Sequence, residues 1–144
     1  MKKKVHFKRF DPALPVPAYK TKGAAAFDCH ARETVLIEPG KVGLIPLNVA
    51  VKPPKNHWVL LAARSSFYKL GLVAVNGIGV GDEDFCGDGD EYRFVAMNYT
   101  AAPVTIARGD RIAQMVIVPY AKAHLHEVKK MKEKNRGAFG TTGK

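Results

Sequence analysis

The chain has 144 residues, of which 47% are hydrophobic and 25% charged, and its formal net charge is +10. This length fits one domain with a core of its own, and the composition excludes wholesale disorder. Two cysteines cannot form a disulfide framework, and no apolar run approaches the roughly 18 residues of a membrane span. We therefore expect a single domain over residues 1–144 in a soluble, cytoplasmic protein with no membrane partner.

The excess positive charge lies at the two ends of the chain. Residues 1–9 carry five basic side chains and no acid, and residues 122–144 carry seven basic and two acidic ones. Residues 10–121 are neutral, which argues against nucleic acid as the principal partner. The sequence predicts a basic N-terminal strand or tail over 1–9 and a basic, mobile C-terminal arm over 122–144.

Runs of valine, isoleucine and aromatic residues, separated by turn signals, predict an all-β sandwich or barrel. In chain order, strands are expected at residues 5–10, 27–31, 34–37, 42–51, 58–64, 73–75, 92–98, 104–106 and 112–119. Pro39 and Gly40 suit the central positions of a type II turn. A short helix is expected at 65–70 with Ser65 or Ser66 as its N-cap, and Trp58 is expected in the core.

The stretch 76–91 concentrates five glycines and six acids around a few apolar residues. A calcium loop of the EF-hand type fails at two ligand positions, and no helix follows to complete a dinucleotide-binding loop. Two interpretations remain. The stretch is either a solvated acidic turn or a hairpin whose glycines let a flat ligand lie against the backbone, with Asp82 aimed into a site. Ile78, Val80 and Phe85 favour partial burial and hence the hairpin.

Three further stretches carry polar side chains of interest. Arg64, Ser65 and Ser66 directly follow an apolar strand, where hydroxyls, free N–H groups and an arginine suit phosphate. Gln114 interrupts an apolar strand, which is unusual for a residue without a task. Residues 136–144 resemble a P-loop but have one residue too many between the glycines. They form either a disordered tail or an arm that closes over a phosphorylated ligand.

In order, these stretches resemble the five motifs of the trimeric dUTPase family. Residues 25–31 (Ala-Ala-Phe-Asp-Cys-His-Ala) resemble Ala-Gly-x-Asp-Leu-x-Ala, and the others are 63–66 with 71–72, 76–87, 109–114 and 136–143. The likeness spans residues 24–143. It implies a dUTPase-like, jelly-roll-like β-barrel or sandwich, a homotrimer with shared active sites, and a C-terminal arm that caps a neighbour's site. It also implies Mg²⁺-assisted hydrolysis of dUTP to dUMP and pyrophosphate, which limits uracil incorporation into DNA and supplies dUMP.

The resemblance assigns roles within the hairpin. Asp82 would orient and deprotonate the water that attacks the α-phosphorus. Asn76, with the backbone of Gly79 and Val80, would read the uracil edge. Phe85 would pack on the deoxyribose and exclude a 2′-hydroxyl.

The remaining roles concern the phosphates, the arm and the metal ion. The phosphates would be held by four side chains, Arg64, Ser65, Ser66 and Gln114. From the arm, Arg136 would reach the terminal phosphate, and Phe139 would cover the uracil ring beside Gly140 and Thr141. Mg²⁺ would be held mainly by the triphosphate and water, with Asp28 as an outer-shell carboxylate.

The chain departs from the family pattern at a few positions. Gly81 stands where an aliphatic residue usually precedes the catalytic aspartate, which predicts a looser hairpin, and Phe85 replaces a tyrosine. Two alternative functions stay open at this point. A dCTP deaminase or a bifunctional dCTP deaminase/dUTPase would use a glutamate such as Glu91. A non-enzymatic nucleotide or nucleic-acid binding protein would need no catalytic carboxylate.

Overall fold

Alternating apolar side chains form short antiparallel strands, as in the segment at 93–98, where Phe94, Ala96 and Asn98 are buried and their neighbours are not. The computed structural model describes residues 3–141, so the predictions that involve Lys2, Thr142, Gly143 and Lys144 lie outside the described residues. Its strands are β1 His6–Arg9, β2 Phe27–His30, β3 Val35–Ile37, β4 Val42–Pro46, β5 Val49–Lys52, β6 His57–Ala63, β7 Leu72–Ala74, β8 Gly79–Gly81, β9 Arg93–Asn98, β10 Val104–Ile106 and β11 Arg111–Pro119.

The strands form four antiparallel sheets in the described part of the chain. The largest has the order β2-β11-β6-β8, a second has β4-β9-β7, and β1-β5 and β10-β3 are pairs. The predicted all-β class is confirmed. These sheets do not close into a barrel within residues 3–141, which leaves the jelly-roll-like sandwich of the two predicted forms.

The core lies between the sheets and is built from inward-facing aliphatic and aromatic side chains. Ile45 and Val59 are completely buried, and Phe67 packs edge-on against Phe94 with ring centroids 5.1 Å apart. Full burial of each such side chain contributes on the order of 2 kcal/mol. This core holds β6 and β11 in the register that positions the polar residues described below.

Two local predictions needed correction. The strand expected at 42–51 is two strands, because Asn48 adopts a left-handed backbone (φ 67°) and its amide group pairs with the backbone of Asp11. The expected helix at 65–70 is a single 3-10 turn, Phe67–Leu70. Ser66 occupies its N-cap position without a side-chain hydrogen bond. The turn at Gly40 is confirmed, with φ 70° and a hydrogen bond from the Lys41 amide to the Glu38 carbonyl.

Candidate active site

The glycine-rich stretch folds back against β6 as strand β8. Its register places Gly79 opposite Leu61 and Gly81 opposite Val59. Gly79 lets the two strands pack closely there, because an added Cβ atom would lie only 3.1 Å from the Leu61 Cβ. Within the described residues β8 is the outer strand of its sheet, so the main-chain groups on its free edge are open to a ligand, as expected for a hairpin that binds a flat ring.

Asp82 follows directly after β8 and is exposed to solvent. Its carbonyl accepts a hydrogen bond from the Phe85 amide (3.1 Å), which makes a tight turn and brings the Phe85 ring back towards the strand. Within residues 3–141 no ion pair or side-chain hydrogen bond involves the Asp82 carboxylate. The carboxylate is therefore available to a ligand or to a water molecule.

A groove runs along β8. A cleft of about 440 Å³ is lined by Val80, Asp82 and Phe85, together with Tyr92 and Arg93. A smaller cleft beside it is lined by the predicted uracil reader Asn76 and shares Leu61, Gly79 and Arg93 with the larger one. The hairpin residues predicted from the sequence are therefore brought together around one groove.

On the other side of Asp82 lies a cleft of about 630 Å³ that Trp58 helps to line. The expectation that Trp58 belongs to the core was wrong, because β8 ends at Gly81 and leaves the indole half-buried. In this cleft Glu83 accepts hydrogen bonds from the Tyr120 hydroxyl (2.8 Å) and from the Asn56 amide (2.9 Å). These two bonds lower the pKa of Glu83, and the first of them ties Tyr120, just before the C-terminal arm, to the residue beside Asp82.

A second polar cluster forms where β2, β11 and β6 lie side by side. Asp28 is buried, and its two carboxylate oxygens accept hydrogen bonds from Arg64 Nε (3.1 Å) and Arg111 Nη1 (3.0 Å). Gln114 lies opposite Asp28 in the register and donates to the Ala63 carbonyl (2.9 Å). Ser65 and Ser66 follow on the exposed side of this cluster, as the sequence predicts for a phosphate site.

The electrostatics of this cluster favour an anion. Two guanidinium groups surround the single carboxylate of Asp28. Burial, followed by the charges of Lys20 and Arg111, lowers the pKa of the neighbouring His30. Arg111 was not among the predicted site residues, although it lies inside the fourth motif, where a basic residue directly before an apolar pair was the available signal.

The two clusters lie at opposite ends of β6 within one chain. Asp82 lies beside Trp58 at the beginning of this strand, whereas Ser65 follows its end. Seven residues at about 3.3 Å each separate these points by roughly 23 Å. A single chain therefore does not bring the Asp82 carboxylate and the serine hydroxyls to one phosphate group.

The C-terminal arm carries the remaining predicted residues. Residues 121–141 are exposed throughout, and the Phe139 ring is fully exposed. Thr141 closes a small turn through hydrogen bonds with the Ala138 backbone, next to Gly140 with φ 83°. Arg136 makes no ion pair within the described chain, and the arm residues predicted to bind substrate, residues 136 and 139–141, do not line the clefts around Asp82.

Glu91, the glutamate that a deaminase would need, has a structural role here. Its side chain is 6% exposed and accepts hydrogen bonds from Arg32 Nε (2.7 Å), Arg32 Nη2 (3.0 Å) and the Asn48 amide (3.0 Å). An anion held by three donors is poorly placed to transfer protons to a base.

The described residues contain no group of three or more His, Cys, Asp or Glu side chains that could hold a metal ion by itself. No helix in residues 3–141 is long and apolar enough to cross a membrane.

Comparison with known proteins identifies relatives over nearly the whole chain. A family model described as dUTPase matches residues 13–143. The deoxyuridine 5'-triphosphate nucleotidohydrolase of Anaeromyxobacter sp. (strain Fw109-5) is 40% identical over 136 residues, which cover 92% of this chain and 90% of the relative.

Solved structures share the fold. The Staphylococcus bacteriophage 80alpha dUTPase with dUPNHPP superimposes with a TM-score of 0.85 at 24% identity and covers 99% of both chains. A mutant dUTPase from phage phi11 of S. aureus, solved to describe the coordination of a structural Mg(II) ion, gives a TM-score of 0.79 at 23% identity. It covers 91% of this chain and 100% of the phage protein.

Proposed function

The chain belongs to the dUTPase family, and from this membership we propose that it hydrolyses dUTP to dUMP and pyrophosphate. The observation that carries the proposal is the Asp82 carboxylate at the end of the groove along β8, which makes no ion pair within residues 3–141. The reaction limits uracil incorporation into DNA and supplies dUMP. A cytoplasmic location stays a prediction.

Asp82 is the general base in this reaction. Its carboxylate accepts a proton from a water molecule whose oxygen attacks the α-phosphorus in line with the leaving group. A bond forms between that oxygen and the α-phosphorus, and the bond to the bridging oxygen breaks, so pyrophosphate leaves. Within residues 3–141 this carboxylate makes no ion pair and no side-chain hydrogen bond, so it is not already engaged as an acceptor, which suits this role.

The groove along β8 selects the nucleoside. Asn76 and the backbone of Gly79 and Val80 line it, which supports their assignment to the uracil edge. Phe85 stands over the same groove and packs on the deoxyribose, where a 2′-hydroxyl would have no room. Phe139 covers the base when the arm closes, which fits a ring that makes no packing contact within the described residues and is fully exposed.

The cluster at the end of β6 binds the phosphates. Ser65 and Ser66 supply exposed hydroxyls, and Arg64 and Gln114 lie directly beside them. Arg64 uses Nε and Nη1 within the fold, so its other N–H groups serve the ligand. Arg136 brings a further positive charge to the terminal phosphate on closure, since a triphosphate needs cationic donors to offset its charge.

The residues present fit Mg²⁺ held largely by the substrate. Asp28 already accepts one hydrogen bond on each carboxylate oxygen, which leaves one lone pair on each for a metal-bound water. Mg²⁺ commonly keeps several waters and is bound by one or two carboxylates together with substrate phosphates. When bound, the ion offsets the negative charge of the phosphates. The structural Mg(II) ion of the phage phi11 dUTPase supports a divalent ion in this fold.

Homotrimer formation would complete the site. Asp82 and the serines of one chain are too far apart to share a phosphate, so sites at subunit junctions would combine them from different chains. The outer face of sheet β4-β9-β7 supports such an assembly because its side chains are apolar and partly or largely exposed. The register aligns Leu44 with Val95, and Val42 and Val73 with Met97. An exposed apolar sheet face of this kind marks an interaction surface.

Pyrophosphate release from dUTP, dCTP, dTTP and UTP, each tested separately with Mg²⁺, tests the proposal. We expect release from dUTP alone and its loss in Asp82→Asn. Asp84→Asn is the matched control, because Asp84 lies in the cleft beside Asp82 and has no assigned role. Ammonia release from dCTP would favour the deaminase alternative. No release from any nucleotide would favour a binding protein.

A further inference from the structure

Gly81 lies immediately before Asp82. The ring of Tyr92 occupies the space that a side chain at Gly81 would take. A Cβ atom on Gly81 would lie 2.7 Å from Cε1 and Cζ of Tyr92 and closer still to its hydroxyl oxygen. Gly81 does not have a positive φ, so the requirement is for space and not for a special backbone conformation. The looser hairpin expected from the missing side chain stays a prediction, and the Tyr92 ring fills the space that this side chain would take.

The same ring supports Phe85. The two rings pack edge to face with centroids 5.1 Å apart and an interplanar angle of 83°. Tyr92 is 5% exposed and is covered on one side by β8 and on another by Phe85. One buried ring therefore contacts both the strand that directly precedes Asp82 and the side chain placed against the deoxyribose.

The Tyr92 hydroxyl contributes nothing to this arrangement through hydrogen bonding. Within the described chain its oxygen is buried without a partner. Burial, and then the charge of Asp82, raise the pKa of Tyr92, so the hydroxyl stays protonated throughout the neutral range. The ring therefore contributes through its shape and not through its hydroxyl group.

We propose that Tyr92 is a positioning residue for the reaction, which acts through Gly81 on Asp82 and through direct ring contact on Phe85. This inference rests on the proposed function. Tyr92 and Gly81 form a complementary pair, because the Tyr92 ring fills the space of the side chain that is missing on β8. The ring thereby fixes the position of the Asp82 carboxylate relative to the deoxyribose.

The pair predicts a specific pattern of variants. Gly81→Ala alone forces the strand away from the ring, and a displacement of about 1 Å at the reacting groups lowers kcat by about 100-fold. Tyr92→Leu makes room for the added methyl group, so the double variant Gly81→Ala/Tyr92→Leu recovers about tenfold in kcat over Gly81→Ala. Tyr92→Phe keeps the ring and loses only the unpartnered hydroxyl, so its kcat and KM match those of the wild-type chain.

Gly43→Ala is the matched control for strain in general. A Cβ at Gly43 would also lie 2.7 Å from a side chain, that of Ile37, but on β4 and away from the groove. We expect this variant to lower stability and to leave kcat of the folded protein unchanged. Trp58, the single tryptophan, lines the cleft beside Asp82, so its emission gives a second readout that does not require turnover.

Steady-state kcat and KM for dUTP, with Trp58 emission spectra of each folded variant, decide the matter. The expected result is loss of kcat in Gly81→Ala with a shifted emission maximum, and return of both towards wild type in the double variant. A double variant as impaired as Gly81→Ala, or a large loss in Tyr92→Phe, would overturn the positioning role. A wild-type chain that releases no pyrophosphate would overturn the proposed function instead, and the emission spectra would still test the packing of the pair.

Discussion

Replacing Glu91 with alanine removes the anion that joins three separate segments of the fold. The carboxylate binds Arg32, which follows β2, and the backbone amide of Asn48, which separates β4 from β5. Glu91 itself ends the acidic stretch that follows the hairpin. Among residues 3–141, alanine leaves Glu33 as the one ion-pair partner of the Arg32 guanidinium, at 2.8 Å on the surface.

The expected magnitude follows from the burial of the pair. Breaking a buried ion pair by removal of one partner costs about 3–5 kcal/mol. The Glu91 side chain is 6% exposed, but that of Arg32 is 30% exposed, which allows water to compensate part of the loss. We therefore expect the lower end of that range, about 3 kcal/mol, which corresponds to a fall in Tm of about 12 °C for a chain of this size.

Thermal unfolding at neutral pH and equal protein concentration measures this effect, since assembly makes Tm depend on concentration. Asp88→Ala is the control, because Asp88 lies in the same acidic stretch, is 98% exposed and pairs with Lys8 only at 3.5 Å. An ion pair of that kind contributes little, so the control should leave Tm unchanged. Equal Tm values for the two variants would refute the structural role of Glu91. A normal Tm for Glu91→Ala combined with lost ammonia release from dCTP would identify Glu91 as a deaminase residue.

Three further predictions concern the thiols, the pH dependence and the assembly. Burial raises the pKa of Cys29 to about 12, whereas Cys86 is half-exposed, so a thiol reagent at pH 8 should label one site per folded chain, and mass spectrometry should locate it at Cys86. Burial lowers the pKa of His30 below its usual 6.5, so the unfolded chain binds that proton more readily. Tm should therefore fall as the pH drops below about 7, and His30→Gln should flatten this part of the profile; an unchanged slope would contradict it. Leu44→Glu places a charge on the apolar face of sheet β4-β9-β7 and should yield monomers in sedimentation, whereas Lys52→Glu on β5 should remain assembled.

Strands with a clear apolar period were predictable from the sequence. Val104–Ile106 matches its predicted bounds, and most other strands differ by one or two residues at an end. β8 was not predicted as a strand, because two glycines around one valine carry no period; only the hairpin that contains it was inferred. The break at Asn48 depends on a hydrogen bond to Asp11, 37 residues away along the chain, which no local pattern records.

The candidate site was likewise predictable only in part. The motifs pointed to Asp82, the groove residues and the serines, because each is a local run of residue types. The contacts of Asp28 with Arg111 and of Gly81 with Tyr92 depend instead on strand register and on the volume of a distant side chain. Complementary volumes between residues far apart in the chain leave no mark in a single sequence.

The span of β6 has a genetic consequence. In the proposed assembly, a chain in which Asp82 is substituted still contributes intact serine hydroxyls to the site it shares with a neighbour. A chain in which the serines are substituted still contributes its Asp82 carboxylate. Co-expression of the two defective alleles would restore some junctions that pair an intact half from each. The two lesions would therefore complement each other in trans, whereas two alleles damaged at the same end of the strand would not.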